Sequence, residues 1–587
     1  MNRHFAIFCF VVSWPIYALA GILHVPEDQP TIQAGINAAV NGDTVLVADS
    51  TYYENINFKG KAITIASMFI MNGDTNHINN TIIDGSQPSN PDSGSVVSFV
   101  SGEDTTSILC GFTITGGTGT KFQVSITTPP YVLIVRNGAG VLIINSGATV
   151  VNNKIIQNNL NDSQVHECAG GGIAIGSLGI IRWAIIKNNL IQSNSCSNGS
   201  LTNSGGGLGI FSNAIVRNNT IRDNQASSNT QQAFGGGLHF EGGDSIIVTD
   251  NILTGNVATT NSTSRPGVGG GAYFFRKDSA FIKVVRNIFA FNGVKSSYWS
   301  GGSGVGFDNV NGDVLFVNNI IHNNNYSGSN VCHGGGIYIT HSEVEIINNT
   351  FSGNTGTYGG GVCNRYSEET VYKNNIFWND SSSIGNQEIE IIKNSGEPDP
   401  EITYCDVQGG WTGTGNINLD PMFLDPSNQW FCLHDQSPCI DSGDLNILDP
   451  EDPLNPGYAL WPARGTIISD MGAFGGPYAC DWDPIITGLE KKTPDGELIP
   501  ATITLFQNYP NPFNPTTTIE FALPQSGYVT LKIYNILGEE VSTLVSERLT
   551  AGKYKYDFDA IGLASGVYLY CLKAESFKQT KKLILLK

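Results

Sequence analysis

The sequence predicts an all-β protein: a parallel β-helix solenoid with an N-terminal capping helix, followed by a small Ig-like β-sandwich. Three observations carry this reading. A run of glycines, once broken by serine, starts at Gly170, Gly205, Gly235, Gly269, Gly302, Gly334 and Gly359, at intervals of 25 to 35 residues. In register with it, the pattern Asn-x-apolar-x-x-Asn opens at Asn153, Asn189, Asn219, Asn251, Asn287, Asn319, Asn349 and Asn374, and closes at Asn158, Asn194, Asn224, Asn256, Asn292, Asn324, Asn354 and Asn379. After each glycine run come two apolar residues separated by one other, as in Ile173/Ile175, Leu208/Ile210, Leu238/Phe240 and Ile337/Ile339. That is the period of a strand with one buried face. One unit cannot bury its own face, so the units must stack. With no helical period between the short strands, each repeat reads as one coil, about 4.8 Å above the last. Aligned asparagines then form an amide ladder from coil to coil, and asparagine tolerates the left-handed backbone of the turns.

The elements follow in order. Residues 1–20 read as an export signal: Arg3 and His4 precede the apolar stretch Phe5–Leu19, and Ala18-Leu19-Ala20 is a small-x-small cleavage site. No later segment has the run of about 18 apolar residues that a spanning helix needs. Thr31–Val40 places Ile32, Ile36, Ala39 and Val40 on one helical face, a plug for the open end of the stack. Strands at 44–47, 62–65, 81–83 and 111–114 are the first, less regular coils. The β-helix is expected over 21–480 and a linker over 481–500. From 501 to 587 the composition shifts to nine basic against seven acidic residues. Alternating strands such as Thr518–Leu523, Val529–Tyr534 and Val567–Tyr570, with Gly and Pro turns between, predict the β-sandwich there.

Two resemblances add to this. The run Asn508-Tyr509-Pro510-Asn511-Pro512-Phe513, with Ile533-Tyr534-Asn535, Ala564-Ser565-Gly566-Val567-Tyr568 and Lys581-Lys582-Leu583, resembles the C-terminal sorting domain of type IX secretion cargo. It implies the type IX machinery as a partner. It also implies passage via the periplasm across the outer membrane, then release or anchoring at the outer cell surface. Thr31-Ile32-Gln33, Gly42-Asp43-Thr44-Val45, Tyr53-Glu54-Asn55-Ile56 and Gly60-Lys61 resemble the start of right-handed β-helix proteins of the pectate-lyase-like superfamily. Asp420-Pro421-Met422-Phe423, Ser437-Pro438-Cys439-Ile440-Asp441 and Asp470-Met471-Gly472-Ala473-Phe474-Gly475 are similar to the closing motif of its bacterial surface members. The resemblance implies a right-handed coil and speaks to fold more than to activity.

Charge and spacing narrow the chemistry. With 31 basic against 51 acidic residues, net −20, the chain does not suit binding to nucleic-acid phosphates. Ten cysteines remain after the leader, available to pair in an exported protein, and none has zinc spacing. His322, His333, His341 and His434 fit no coordination motif. No cofactor is expected; calcium is the one possible ion, and no acidic cluster on adjacent coils supports it. Arg276, Lys277 and Arg365, candidate bases for a lyase, lack a partner constellation.

On the strand after each glycine run, the second and fourth residues should point outward. His239, Tyr273, Phe275 and Tyr338, with Phe211, would then form an exposed aromatic strip, the candidate substrate-binding surface for a saccharide. Glu241 and Asp308 lie on it two coils apart, about 10 Å, against the ~6.5–9.5 Å of an inverting hydrolase. They are the catalytic candidates. The reading is a secreted or cell-surface β-helix protein that binds extracellular polysaccharide without cleaving it. The alternatives are a polysaccharide lyase or glycoside hydrolase on the same scaffold, or a purely structural or adhesion protein.

Overall fold

The computed structural model describes residues 21–479 and 504–586, apart from 128–129, 276–279, 329–330, 454, 524–526, 537, 550–551 and 575–576. The leader expected over 1–20, the linker over 481–500, and Arg276 and Lys277 lie outside the described residues. Two compact units are present, one within 1–422 and 433–480, the other within 423–432 and 481–587.

The first unit is a parallel β-solenoid of about 11 turns. Each coil runs through three sheets. The first has 13 strands, from Ile22–Val25 to Glu401–Thr403, and the second has 12, from Ser50–Tyr52 to Asp406–Val407. The third has 11, from Ile56–Asn57 to Ile389–Ile392, and holds the strands that follow the glycine runs. The register is strict: Leu238, His239, Phe240 and Glu241 sit over Ala272, Tyr273, Phe274 and Phe275. First and third positions therefore share one face, and Ile173, Ile175, Leu208, Ile210, Leu238 and Phe240 are wholly buried in one continuous core. Phe274 and Phe307 stack there with ring centroids 5.1 Å apart.

Two asparagine ladders run through this core. Asn219 Nδ2 donates to Ile186 O of the preceding coil at 2.8 Å and to Asn251 Oδ1 of the next at 3.0 Å. Its own Oδ1 accepts from Asn189 N at 2.9 Å and Asn189 Nδ2 at 3.0 Å. The last copy differs from the sequence reading by one residue. Asn375 and Asp380 occupy the ladder, accepting the place that Asn349 and Asn354 hand on. Asn374 and Asn379 instead take the left-handed corners, at φ 55° and 63°. In most coils an asparagine occupies the corner beside the first ladder site too, as at Asn188-Asn189, so the spacing alone does not separate the two roles.

The ends are closed by residues of the quoted motifs. The capping helix α1, Ile32–Ala38, buries Ile32 and Ile36. Glu54 accepts from the backbone N–H groups of Ile32 and Gln33, both at 2.9 Å, which suits the positive end of a helix. Lys61 Nζ donates to the carbonyls of Ile36, Asn37 and Ala39 at the other end. The helix stops before Ala39, which turns extended, so Val40, expected on the apolar face, is exposed. At the far end, residues 469–476 clasp the corner asparagines: Asn318 Nδ2 donates to Ala473 O and Asn348 Nδ2 to Asp470 O, both at 2.8 Å. The nine described cysteines are buried, and Cys196 Sγ donates to the Cys168 carbonyl at 2.7 Å with no disulfide between the two. Burial gives Cys168 and Cys196 a place in the packing of the outer layer.

The second unit holds a three-stranded and a four-stranded antiparallel sheet around one core, a β-sandwich-like arrangement. The Asn-Tyr-Pro-Asn-Pro-Phe run contributes Phe513 to that core. Asn508 is buried, with its N–H donating to Tyr570 Oη at 2.9 Å and its amide to Thr517 Oγ1 at 2.9 Å. Phe513 is buried while Tyr509 is exposed.

Candidate functional site

Between the second ladder and each glycine run, the chain leaves the coil and returns. The outgoing strand, such as Gln225–Ser228, and the returning strand, such as Gln232–Phe234, stack on their counterparts in two tracks. A glycine at the second place of the run, replaced by serine only at Ser303, allows this outer layer to lie close. A Cβ on Gly236 would stand 2.5 Å from the backbone of Val257. The returning track covers the outside of the third sheet.

That layer corrects the expectation of an open aromatic strip. His239, Tyr273 and Tyr338, at second positions, are 1–2% exposed. Tyr273 stacks on Phe234 at 4.6 Å, and Tyr338 meets Trp299 at 5.9 Å. His239 packs among Phe211, Phe234 and Tyr273, with no hydrogen bond to either ring nitrogen, and burial pushes its pKa down to about 3. Glu241 Oε2 stands 3.5 Å from its Nε2. The fourth positions, Phe211, Glu241, Phe275 and Asp308, stay half-buried at the edge of the covering layer. Asp308 is held by the Tyr273 hydroxyl at 2.9 Å and the Asn309 amide at 2.6 Å, and burial pushes its pKa up. Its oxygens are therefore engaged, and it does not join Glu241 in a cavity. His322 is buried and His333 half-buried, in separate surroundings, and burial lowers the pKa of each to about 4. Among the described residues, no three His, Cys, Asp or Glu side chains converge as a metal centre.

What remains open lies toward the N-terminal coils. A cavity of about 460 Å³ has Ile144, Phe211 and Glu241 among its lining residues, all three fourth positions of the third sheet. One wall is a hairpin of Gly119–Thr127 and Pro130–Asn137. Phe122 pairs with Val135 and Val124 with Leu133, so four apolar side chains face the cavity from one side of the ribbon. Arg136 pins the hairpin base. It contacts Asp162 and Asp92 at 2.9 Å and donates to the carbonyls of Pro91 and Gly119. Leu178 forms part of the rim, next to exposed Ile180 and Ile181. Glu167 adds a second carboxylate, its pKa raised by burial. Apolar walls with two carboxylates suit a ligand that has both a hydrophobic face and hydroxyl donors.

Of the six candidate residues, the cavity takes in Glu241 alone. The hairpin, Glu167 and Phe122 were not singled out from the sequence, because the hairpin occurs once and repeat markers do not point to it. Its signal is the unusual alternating stretch 119–137, directly before Gly138-Ala139-Gly140 and one coil ahead of the run at Gly170.

Residues 507–586 match the family described as Secretion system C-terminal sorting domain. The C-terminal unit is thus a type IX sorting domain. Its presence implies the secretion machinery as a partner and a secreted or cell-surface location. No curated protein matches the chain, and no solved structure matches it. Among the described residues, no helix is long and apolar enough to cross a membrane.

Proposed function

We propose that this chain is an exported binding protein that holds extracellular polysaccharide in the cavity under the 119–137 hairpin and does not cleave it. Export would begin with removal of residues 1–20 and proceed via the periplasm. The observation that carries the reading is the cavity lining: the Phe122 and Phe211 rings beside Glu167 and Glu241. A sugar ring offers C–H groups to an aromatic surface and hydroxyl donors to carboxylates, and hydrogen bonds to charged acceptors are the strong ones. The half-buried aromatic floor also removes part of the desolvation cost before the ligand arrives.

The full chain on a polysaccharide array, with Phe211→Ala and Glu241→Gln beside it, tests this. Retention of at least one glycan by the parent chain, weakened tenfold or more by either substitution, is expected. An array that retains nothing contradicts the reading. A glycoside hydrolase is the second reading, because one of two carboxylates in a single cavity has a raised pKa, the pattern of an acid and its partner. New reducing ends from the retained glycan, lost in Glu167→Gln, would favour it over binding alone.

A further inference from the structure

The second ladder ends in an anomaly. Seven coils carry asparagine at this site, and the eighth carries Asp380. Asp380 Oδ1 does the ladder's work, accepting from Asn354 N at 2.7 Å and Asn354 Nδ2 at 2.8 Å. Where an asparagine would offer an N–H to the next coil, Asp380 offers Oδ2, and that oxygen meets no donor. Glu388 interacts directly with it. Glu388 is also buried, 3% exposed, and neither of its carboxylate oxygens meets a donor.

Three buried acceptor oxygens thus share one place with no hydrogen bond donor among them. Buried acceptors without donors are costly, and carboxylates more so. A positive species must lie among them, either a proton or a metal ion. Burial and mutual repulsion push Glu388 up to about 10, and burial pushes Asp380 up to about 7. Asp406 adds further negative charge nearby. Two features favour an ion that comes and goes over a permanently trapped proton. Glu388 lines a cavity of about 280 Å³ between residues 385–389 and 407–411, which places open space on the Glu388 side of the buried pair. The same cavity is lined by Asn386, Gln387 and three glycines, which can complete an oxygen shell with amide and main-chain carbonyls and water.

We propose that Asp380 and Glu388 form a divalent-cation site of the calcium class that seals the C-terminal end of the asparagine ladder. The all-oxygen donor set suits a hard cation and offers neither thiolate nor imidazole to a softer one. The ion neutralises the two carboxylates in place of their shared proton and ties the last coil to the loop after it.

Trp411 lines the cavity and makes the test direct. Terbium, added to the full chain at pH 7.5 and excited through tryptophan, is expected to give saturable emission that calcium displaces. Glu388→Gln and Asp380→Asn are each expected to weaken terbium at least tenfold. Asp380→Asn restores the ladder residue and keeps the acceptor for Asn354, so it leaves the fold intact. Calcium is also expected to raise the melting temperature of the parent chain and not of Glu388→Gln. Emission that survives both substitutions unchanged, or a parent chain without saturable emission, overturns the proposal and leaves the proton as the species between the carboxylates.

Discussion

Asn256 makes the contacts that recur at nearly every rung. Its amide donates to Ile221 O at 2.8 Å and Asn292 Oδ1 at 3.0 Å, and its carbonyl oxygen accepts twice from Asn224. The site is wholly buried. Asn256→Ala therefore strands a main-chain carbonyl and the amide of Asn224 away from water, at about 2–4 kcal/mol. Chemical denaturation of the variant checks this, and a loss within error of zero would show that water fills the ladder. These roles were legible in the sequence because the asparagine pairs recur in register. The exchange at Asn374 and Asn375 was not, because corner and ladder both accept asparagine and only the backbone φ tells them apart. The burial of Tyr273 and Tyr338 was not legible either. Period two says which residues leave the core, and it is silent on whether a second layer covers them.

At the scale of elements, the capping helix and the coil strands came from the sequence with small shifts, since each is set by local period and by a Thr31 cap accepting from Ala34 N. The outer layer is set by non-local stacking of short polar strands, which have no strong local signature. The C-terminal clasp has its own consequence. Asp449 accepts from the Asp470 and Gly476 N–H groups, and Asp470 accepts from those of Asp441 and Arg464. Burial, with mutual repulsion at Asp449, raises Asp449 to about 8, and burial raises Asp470 to about 7. A carboxyl group with a raised native pKa binds its proton more tightly folded than unfolded. Its contribution is complete below the ordinary carboxylate range and is lost as pH rises through about 7 to 8. The melting temperature of the full chain is expected to fall between pH 6 and pH 9, and to fall less in Asp449→Asn. A melting temperature flat over that range, or a slope unchanged in the variant, would contradict this.

For the whole molecule, a stack of similar rungs supplies the scaffold, and the Gly119–Asn137 hairpin walls the cavity proposed to hold the glycan. The sorting domain supplies the address. Removal of residues 501–587 is expected to leave the chain inside the producing cell, as fractionation and immunoblotting would show. Wild-type amounts of the truncated chain outside would contradict that role. The fold was legible at this scale because repetition multiplies a weak local signal. The cavity was not, because it depends on one insertion placed against one end of the stack. The most direct test of the central claim is amide hydrogen exchange on the full chain, with and without a polysaccharide that it retains. The account expects protection confined to 119–137, 141–144, 167–169, 173–178, 208–211 and 238–242. Protection spread along the outer layer, or at the far coils with none at the hairpin, would contradict it.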